Sequence, residues 1–275
     1  MKKMLVGLVG FLIALPVFGA VQYEFFQKST SDSESMPPSD MNARALVEGD
    51  KTRVDVISGN VYPPGTYVIS TDGSRRLFFV DPTQRTYTEF NVAGVTSAIG
   101  TSNIIIENLQ SSVQPMDQGE IIAGVPTRHY RVTFSYDITV VFRSTPLKQS
   151  VRTVIDKWTT TQFGDIGETI SASAAYRTGN PKVDEVIELE TRKIQGFPLR
   201  QSATITTTNL RAKGSSSELK LPATRVMTRE MRVTSIRETK ADAAAFIVPL
   251  TYQRAESAGP QKPQVETITF EPPSK

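Results

Sequence analysis

Cysteine is absent from the 275 residues. That excludes disulfides, thiolate zinc sites, a cysteine nucleophile and a lipid-modified cysteine as a membrane anchor. A single histidine, His129, rules out a multi-histidine metal site, and its place on the polar face of a strand is that of a solvated residue. Charge of one sign is missing as well: 31 Lys+Arg against 28 Asp+Glu give +3. Near neutrality, with no basic cluster, offers nucleic acid no electrostatic foothold. No Gly-x-Ser-x-Gly elbow, His-Glu-x-x-His, phosphate loop or dinucleotide glycine fingerprint occurs. No catalytic residue, metal site or cofactor is therefore expected. Paired carboxylates have no fixed spacing, which leaves Asp137 and Asp156 as the best candidates for hydrolytic chemistry, or as solvated acids on a wet sheet face.

Only the start of the chain carries a long apolar run. Met1-Lys2-Lys3 is positive, Met4 to Leu15 is uncharged and apolar, and Pro16-Val17-Phe18-Gly19-Ala20 adds a break and small residues. This is the layout of a secretory signal peptide, cut after Gly19 or Ala20. A retained anchor is the competing reading, because the uncharged run reaches Val21 and approaches the roughly 18 to 20 residues that span a bilayer. Loss of Lys2 and Lys3 with the leader lowers the charge from 31 − 28 = +3 to 29 − 28 = +1. The organisation expected is a leader over 1–20, one β-rich domain over 21–252 and a disordered Pro-rich tail over 253–275. The location expected is the periplasm.

Between leader and tail the pattern is mainly β. A short strand over Gln22 to Gln27 leads to a polar loop, Ser29 to Asp40. Thr66 to Ser70, Arg75 to Val80 and Arg85 to Phe90 form an antiparallel meander, separated by Asp72-Gly73 and Asp81-Pro82. From Tyr130 to Phe142, Tyr130, Val132, Phe134, Tyr136 and Ile138 alternate with polar residues, which predicts a long strand with one dry face. At about 3.3 Å per residue it is roughly 40 Å long, so its sheet is large and strongly curved. Val151 to Thr161, Thr169 to Tyr176, Ser202 to Leu210 and Arg225 to Arg237 continue the strands.

One helix interrupts them. Asn180 caps it, Pro181 opens it and Gly196 ends it, with Val183, Val186, Ile187 and Ile194 as its apolar seam. Glu190 falls inside that seam: either the last turn frays and Glu190 reaches solvent, or its carboxylate faces the sheet to meet a ligand headgroup or an arginine. Ile122-x-Gly124-x-Pro126-x-Arg128 and Ile194-x-Gly196-x-Pro198-x-Arg200 echo one another, as two similar turns or as two related sheet halves.

Several marks stand in a suggestive order: Asp72-Gly73 before Leu77-Phe78-Phe79-Val80-Asp81-Pro82 and Thr86-Tyr87; Ile122-x-Gly124 before a long strand; Trp158 in a Thr-rich strand. Pro198-Leu199-Arg200 after a helix, Val233-Thr234-Ser235-Ile236 and Phe246-x-x-Pro249-x-x-Tyr252 follow. Together, over Met41 to Tyr252, they resemble the LolA and LolB lipoprotein-localisation fold and its uncharacterised relatives. The resemblance implies an incomplete antiparallel barrel around an apolar cavity with helical cover, and a non-catalytic carrier of a lipid, acyl chain or lipoprotein. Lys51-Thr52-Arg53 stands where true carriers often have an Arg-Pro-rich strand, and the long tail has no counterpart. Those departures leave a general apolar-ligand or envelope-protein binding role, with peripheral membrane contact, or a scaffold with a filled core. The candidate lining is Tyr130, Val132, Phe134, Tyr136 and Ile138 on the sheet, with Val183, Val186, Ile187 and Glu190 on the helix.

Overall fold

The computed structural model describes residues 19–33, 36–73, 76–91, 104–116, 119–142, 145–163, 166, 185–186, 189–210 and 224–255. The leader up to residue 18, the strand expected at Thr169 to Tyr176, helix positions Val183 and Ile187, and the tail from residue 256 lie outside them.

Fourteen strands follow in chain order: β1 Ala20–Ser31, β2 Ser39–Glu48, β3 Lys51–Gly59, β4 Tyr67–Ser70, β5 Arg76–Asp81, β6 Thr86–Asn91 and β7 Ile104–Met116. After them come β8 Ile121–Ile122, β9 Val125–Pro126, β10 Arg128–Phe142, β11 Thr145–Thr160, β12 Phe197–Leu210, β13 Thr224–Thr239 and β14 Gln253–Arg254. Twelve of them form one sheet in the order β14-β6-β5-β4-β3-β2-β1-β13-β12-β11-β10-β7, while β8 and β9 form a small hairpin of their own. The sheet is open, ending at β14 and β7, and it does not close into a barrel. The fold is thus mainly β with very little helix, as the alternation predicts.

Several elements depart from the sequence expectation. β1 continues to Ser31, through residues expected as loop, because Gln27 to Ser31 pair with Met231 to Met227 of β13, and Gln27 to Ser29 pair with β2 as well. β2, β3 and β7 were not foreseen. The pair β14 with β6 is parallel, an exception in an otherwise antiparallel sheet. It holds the three residues after Tyr252, by Gln253 N–H to Arg85 O at 2.9 Å and Ala255 N–H to Tyr87 O at 2.8 Å. The meander β4-β5-β6 stands as read.

Each face has its own cover. On the outer face Tyr67, Ile69 and Val80 pack under Phe246 of a short 3-10 turn, Ala243–Phe246, whose first turn is capped by Asp242 accepting from Ala244 N–H. Arg53 fastens this segment: it chelates Asp55, lies 3.9 Å above the Tyr67 ring and donates to Ala245 O at 3.2 Å. On the inner face the main core gathers Tyr23 and Phe25 of β1, Ala43 and Ala45 of β2, Val54 of β3 and Phe197 of β12. The alanines leave room for close approach from above, and the β8-β9 hairpin supplies Ile122 and Val125, with Phe163 beside them, as a plug.

The hairpin's turn has two central residues with positive φ, Ala123 at 50° and Gly124 at 80°, the primed geometry that matches strand twist. Gly196, the echo of Gly124, does a different job. Open space surrounds Gly124, whereas a Cβ on Gly196 would lie 2.4 Å from Thr160 O. The two motifs share residues and serve unlike turns.

Candidate functional site

Cross-strand register sorts the inner face beyond the plug into rows. Tyr130 of β10 lies opposite Lys157 of β11, which lies opposite Gln201 of β12; Met231 of β13 and Gln27 of β1 extend that row. The next row is Val132, Ile155, Ala203, Arg229 and Ser29. Phe134, Thr153, Ile205 and Met227 form the third. Val132, Phe134, Ile155 and Ala203 make a buried apolar cluster of their own, separate from the main core, with Val113 of β7 and Ile194 packed against it.

Tyr130, Tyr136 and Ile138 on the same face are half-buried. The sheet part of the expected lining therefore shares one face. Of the helix, Glu185, Val186 and Leu189 to Thr191 are helical. Val186 is half-buried, Leu189 is exposed, and Ile194 reaches the sheet cluster just after the last turn. Glu190 is mostly covered and pairs with Lys193 of its own turn at 2.5 Å.

Sequence reading missed two cations on the inner face, Lys157 and Arg229. Lys157 is only 6% exposed, and Gln201 beside it is also buried. Arg229 Nε donates to Ser29 Oγ at 3.3 Å. The available signal was parity: in β11 Lys157 falls in step with Thr153 and Ile155, the residues that face inward.

The outer face of the same strands is polar and highly organised. His129, expected as a solvated strand residue, has a side chain only 11% exposed. Its ring stacks on Trp158 at 4.3 Å with planes 5° apart, and Arg200 lies over the same indole at 4.4 Å. These three residues occupy one cross-strand row, so flat groups on neighbouring strands stack face to face. Asp156 accepts from His129 Nε2 at 2.8 Å and from Arg131 Nε and Nη2 at 2.9 and 3.0 Å. Burial pushes the Asp156 carboxyl up, but the hydrogen bonds and charges of Arg131 and His129 outweigh it and hold the group below its ordinary value. The ionised carboxylate only accepts, so His129 Nε2 carries the hydrogen in this contact.

The two acids singled out for chemistry lie far apart. Asp156 is opposite Arg131 and Asp137 is six residues further along β10, a separation of about 20 Å at 3.3 Å per residue. Glycosidase pairs sit between roughly 5 and 9.5 Å. Asp137 instead accepts from Asn108 at 2.8 Å and lies 3.7 Å from Lys148. Among the described residues no three acids or histidines gather as a metal site, and no helix is long and apolar enough to cross a membrane.

No family model matches the chain, and no curated protein matches it. Five solved chains do match in structure. One is a LolA-superfamily protein from Nitrosomonas europaea, 9% identical, with 85% of this chain and 91% of that chain covered at a TM-score of 0.31. A likeness at that level assigns the chain to no family. What the fold itself defines is an open, curved β-sheet protein with an apolar, partly plugged inner face and an outer face that is a polar lattice on β10 to β12 and an apolar cluster under Phe246 on β4 and β5.

Proposed function

We propose that this is an exported, non-catalytic binding protein that holds an acyl chain of a lipid or lipoprotein on the inner face of β10 to β13. The observation that carries the reading is the second apolar cluster. Val132, Phe134, Ile155 and Ala203 lie on the inner face beyond the plug, packed with Ile194, and the half-buried Tyr136 and Ile138 continue the same face. A chain laid along these rows gains about 0.8 kcal/mol for each CH₂ it removes from water. The plug of Ile122, Val125 and Phe163 fills the other half of the face, so the ligand is confined to the half that the Ile194 segment covers.

The leader, the absence of cysteine and the short polar row at the cluster's edge suit a soluble periplasmic carrier. Cleavage after Gly19 is the cut that fits the sheet, since Ala20 is buried and pairs with Thr239. A scaffold role with a filled core is the second reading, favoured by how thoroughly Val132 and Phe134 are already covered. Native mass spectrometry of protein purified from envelopes, followed by solvent extraction, separates the two. A carrier yields a stoichiometric lipid mass; a scaffold yields none under conditions that preserve noncovalent complexes.

A further inference from the structure

We infer that the loop from Ala243 to Tyr252 is a membrane-contact site, whose exposed side chains Ile247 and Leu250 enter the headgroup boundary of an anionic phospholipid bilayer. The inference goes beyond the carrier reading and does not depend on it, because the loop lies on the outer face, over β4 and β5.

Ala243 to Tyr252 contains no charged side chain. Its apolar residues divide between two directions. Phe246, Val248 and Tyr252 join the cluster of Tyr67, Ile69 and Val80, whereas Ile247 is 57% and Leu250 100% exposed. No other large apolar side chain among the described residues is as exposed as Leu250. A leucine on a surface is ordinary in itself; this one is held outward from both sides. Tyr252 N–H donates to Pro249 O at 2.9 Å and closes a turn with Leu250 at its first corner. The buried Phe246 anchors the chain before the turn, and Gln253 N–H to Arg85 O anchors it afterwards. Leu250 cannot turn inward without undoing one of those anchors. A tip ordered in advance also enters an apolar layer without a further entropic cost of ordering.

Three features favour a bilayer over a protein groove. First, a fully exposed side chain on a tight turn is a point, not the patch of about 800 Å² per partner that a stable protein interface buries. A bilayer needs no matching socket. Second, Pro249 has no N–H and its carbonyl is taken by Tyr252, so the tip carries fewer free backbone groups out of water.

Third, cations frame the loop. Lys240 precedes it, Arg254 follows it, and Arg85 adjoins it through the bond to Gln253. Lys240 and Arg85 are exposed, and among the described residues neither has an ion pair. Of the adjoining acids, Asp242 accepts from Ala244 N–H and Glu89 pairs with Arg254 at 3.2 Å. With Leu250 in the boundary layer, Arg85 and Lys240 are left to meet lipid phosphates.

The test is co-sedimentation of the protein purified from envelopes with phosphatidylcholine vesicles, with and without phosphatidylglycerol. The wild type should bind the anionic vesicles about fivefold more tightly. Leu250→Asp should lower that binding about tenfold, and Arg85→Gln should lower it on the anionic vesicles alone. Both side chains are exposed, so the circular dichroism of these variants should match the wild type. Because the chain has no cysteine, Leu250→Cys and Thr204→Cys each take a single environment-sensitive dye. On vesicles the label at 250 should shift to the blue, and the label at 204, on the outer face of β12, should not. These labels decide even where a retained leader holds the chain to the vesicle. A label at 250 that stays in water on bound protein would overturn the inference, as would failure of the wild type to bind either vesicle. Loss of a co-purifying envelope protein on Leu250→Asp would then assign the tip to that protein. None of these outcomes alters acyl binding, so the carrier reading stands or falls separately.

Discussion

Replacing Asp156 by Asn tests the outer-face lattice with almost no change of shape. The wild-type carboxylate collects three hydrogen bonds, from His129 Nε2 and from Arg131 Nε and Nη2. An amide keeps one acceptor and turns an NH₂ donor toward groups that are themselves donors. Arg131 is 44% exposed, so water compensates much of its loss, whereas the mostly covered His129 has less recourse. We therefore expect a cost of about 1 to 2 kcal/mol at pH 7, or a melting-temperature drop of about 2 to 8 °C for a domain of this size.

The pH dependence is the sharper arm. Asp156 is held below its ordinary carboxyl range in the folded protein, against about 3.9 in the unfolded chain. Its contribution is complete above that unfolded value and vanishes as the pH falls through the folded one. Urea denaturation at pH 7 and at pH 3, followed by the fluorescence of Trp158 and by circular dichroism, measures both. Wild type and variant should differ at neutral pH and converge in acid. A difference below about 0.3 kcal/mol at pH 7, or one that persists unchanged at pH 3, refutes the assigned role.

Further expectations concern the fold's fixed points and its cover. Gly196→Ala puts a Cβ 2.4 Å from Thr160 O at a φ of +88° and should cost about 3 kcal/mol or more in chemical denaturation. Asp242→Ala removes the cap of the 3-10 turn; it should cost about 1 kcal/mol, seen as faster hydrogen exchange confined to the turn and to β4 and β5, which pack under Phe246. Ile194→Asp sets a carboxylate on the apolar cluster and should lower acyl-ligand affinity about tenfold while the sheet persists.

How much of this was legible in the sequence varies with the element. β10 announced itself because seven alternations place one dry and one wet face beyond ambiguity, and the meander because Asp72-Gly73 and Asp81-Pro82 punctuate it. β2 and β3 went unseen although Glu48-Gly49-Asp50-Lys51 marks a tight hairpin, because Ala43 and Ala45 are small and carry little hydrophobic signal. Their burial is decided by what packs onto them. β1 outruns its apolar residues for a similar reason, since Gln27 to Ser31 owe their extended form to pairing with β13, joined by β2 as far as Ser29. Parity alone makes His129 a wet residue, because it gives only the face; its stacking on Trp158 depends on the register of a strand about thirty residues away. The inward Lys157 was missed because a single lysine within a Thr-rich strand looks polar on either face. Only the rows assembled from four strands reveal that it borders an apolar cluster.

The central claim is that the inner face of β10 to β13 receives an acyl chain, and photo-crosslinking measures it most directly. With a diazirine-bearing palmitate and the intact protein, adducts should map to Val132, Phe134, Tyr136, Ile155 or Ile205 and be displaced by excess oleate. Adducts confined to outward-facing residues such as Thr133, Val154 or Thr204, or spread without competition, would contradict the account.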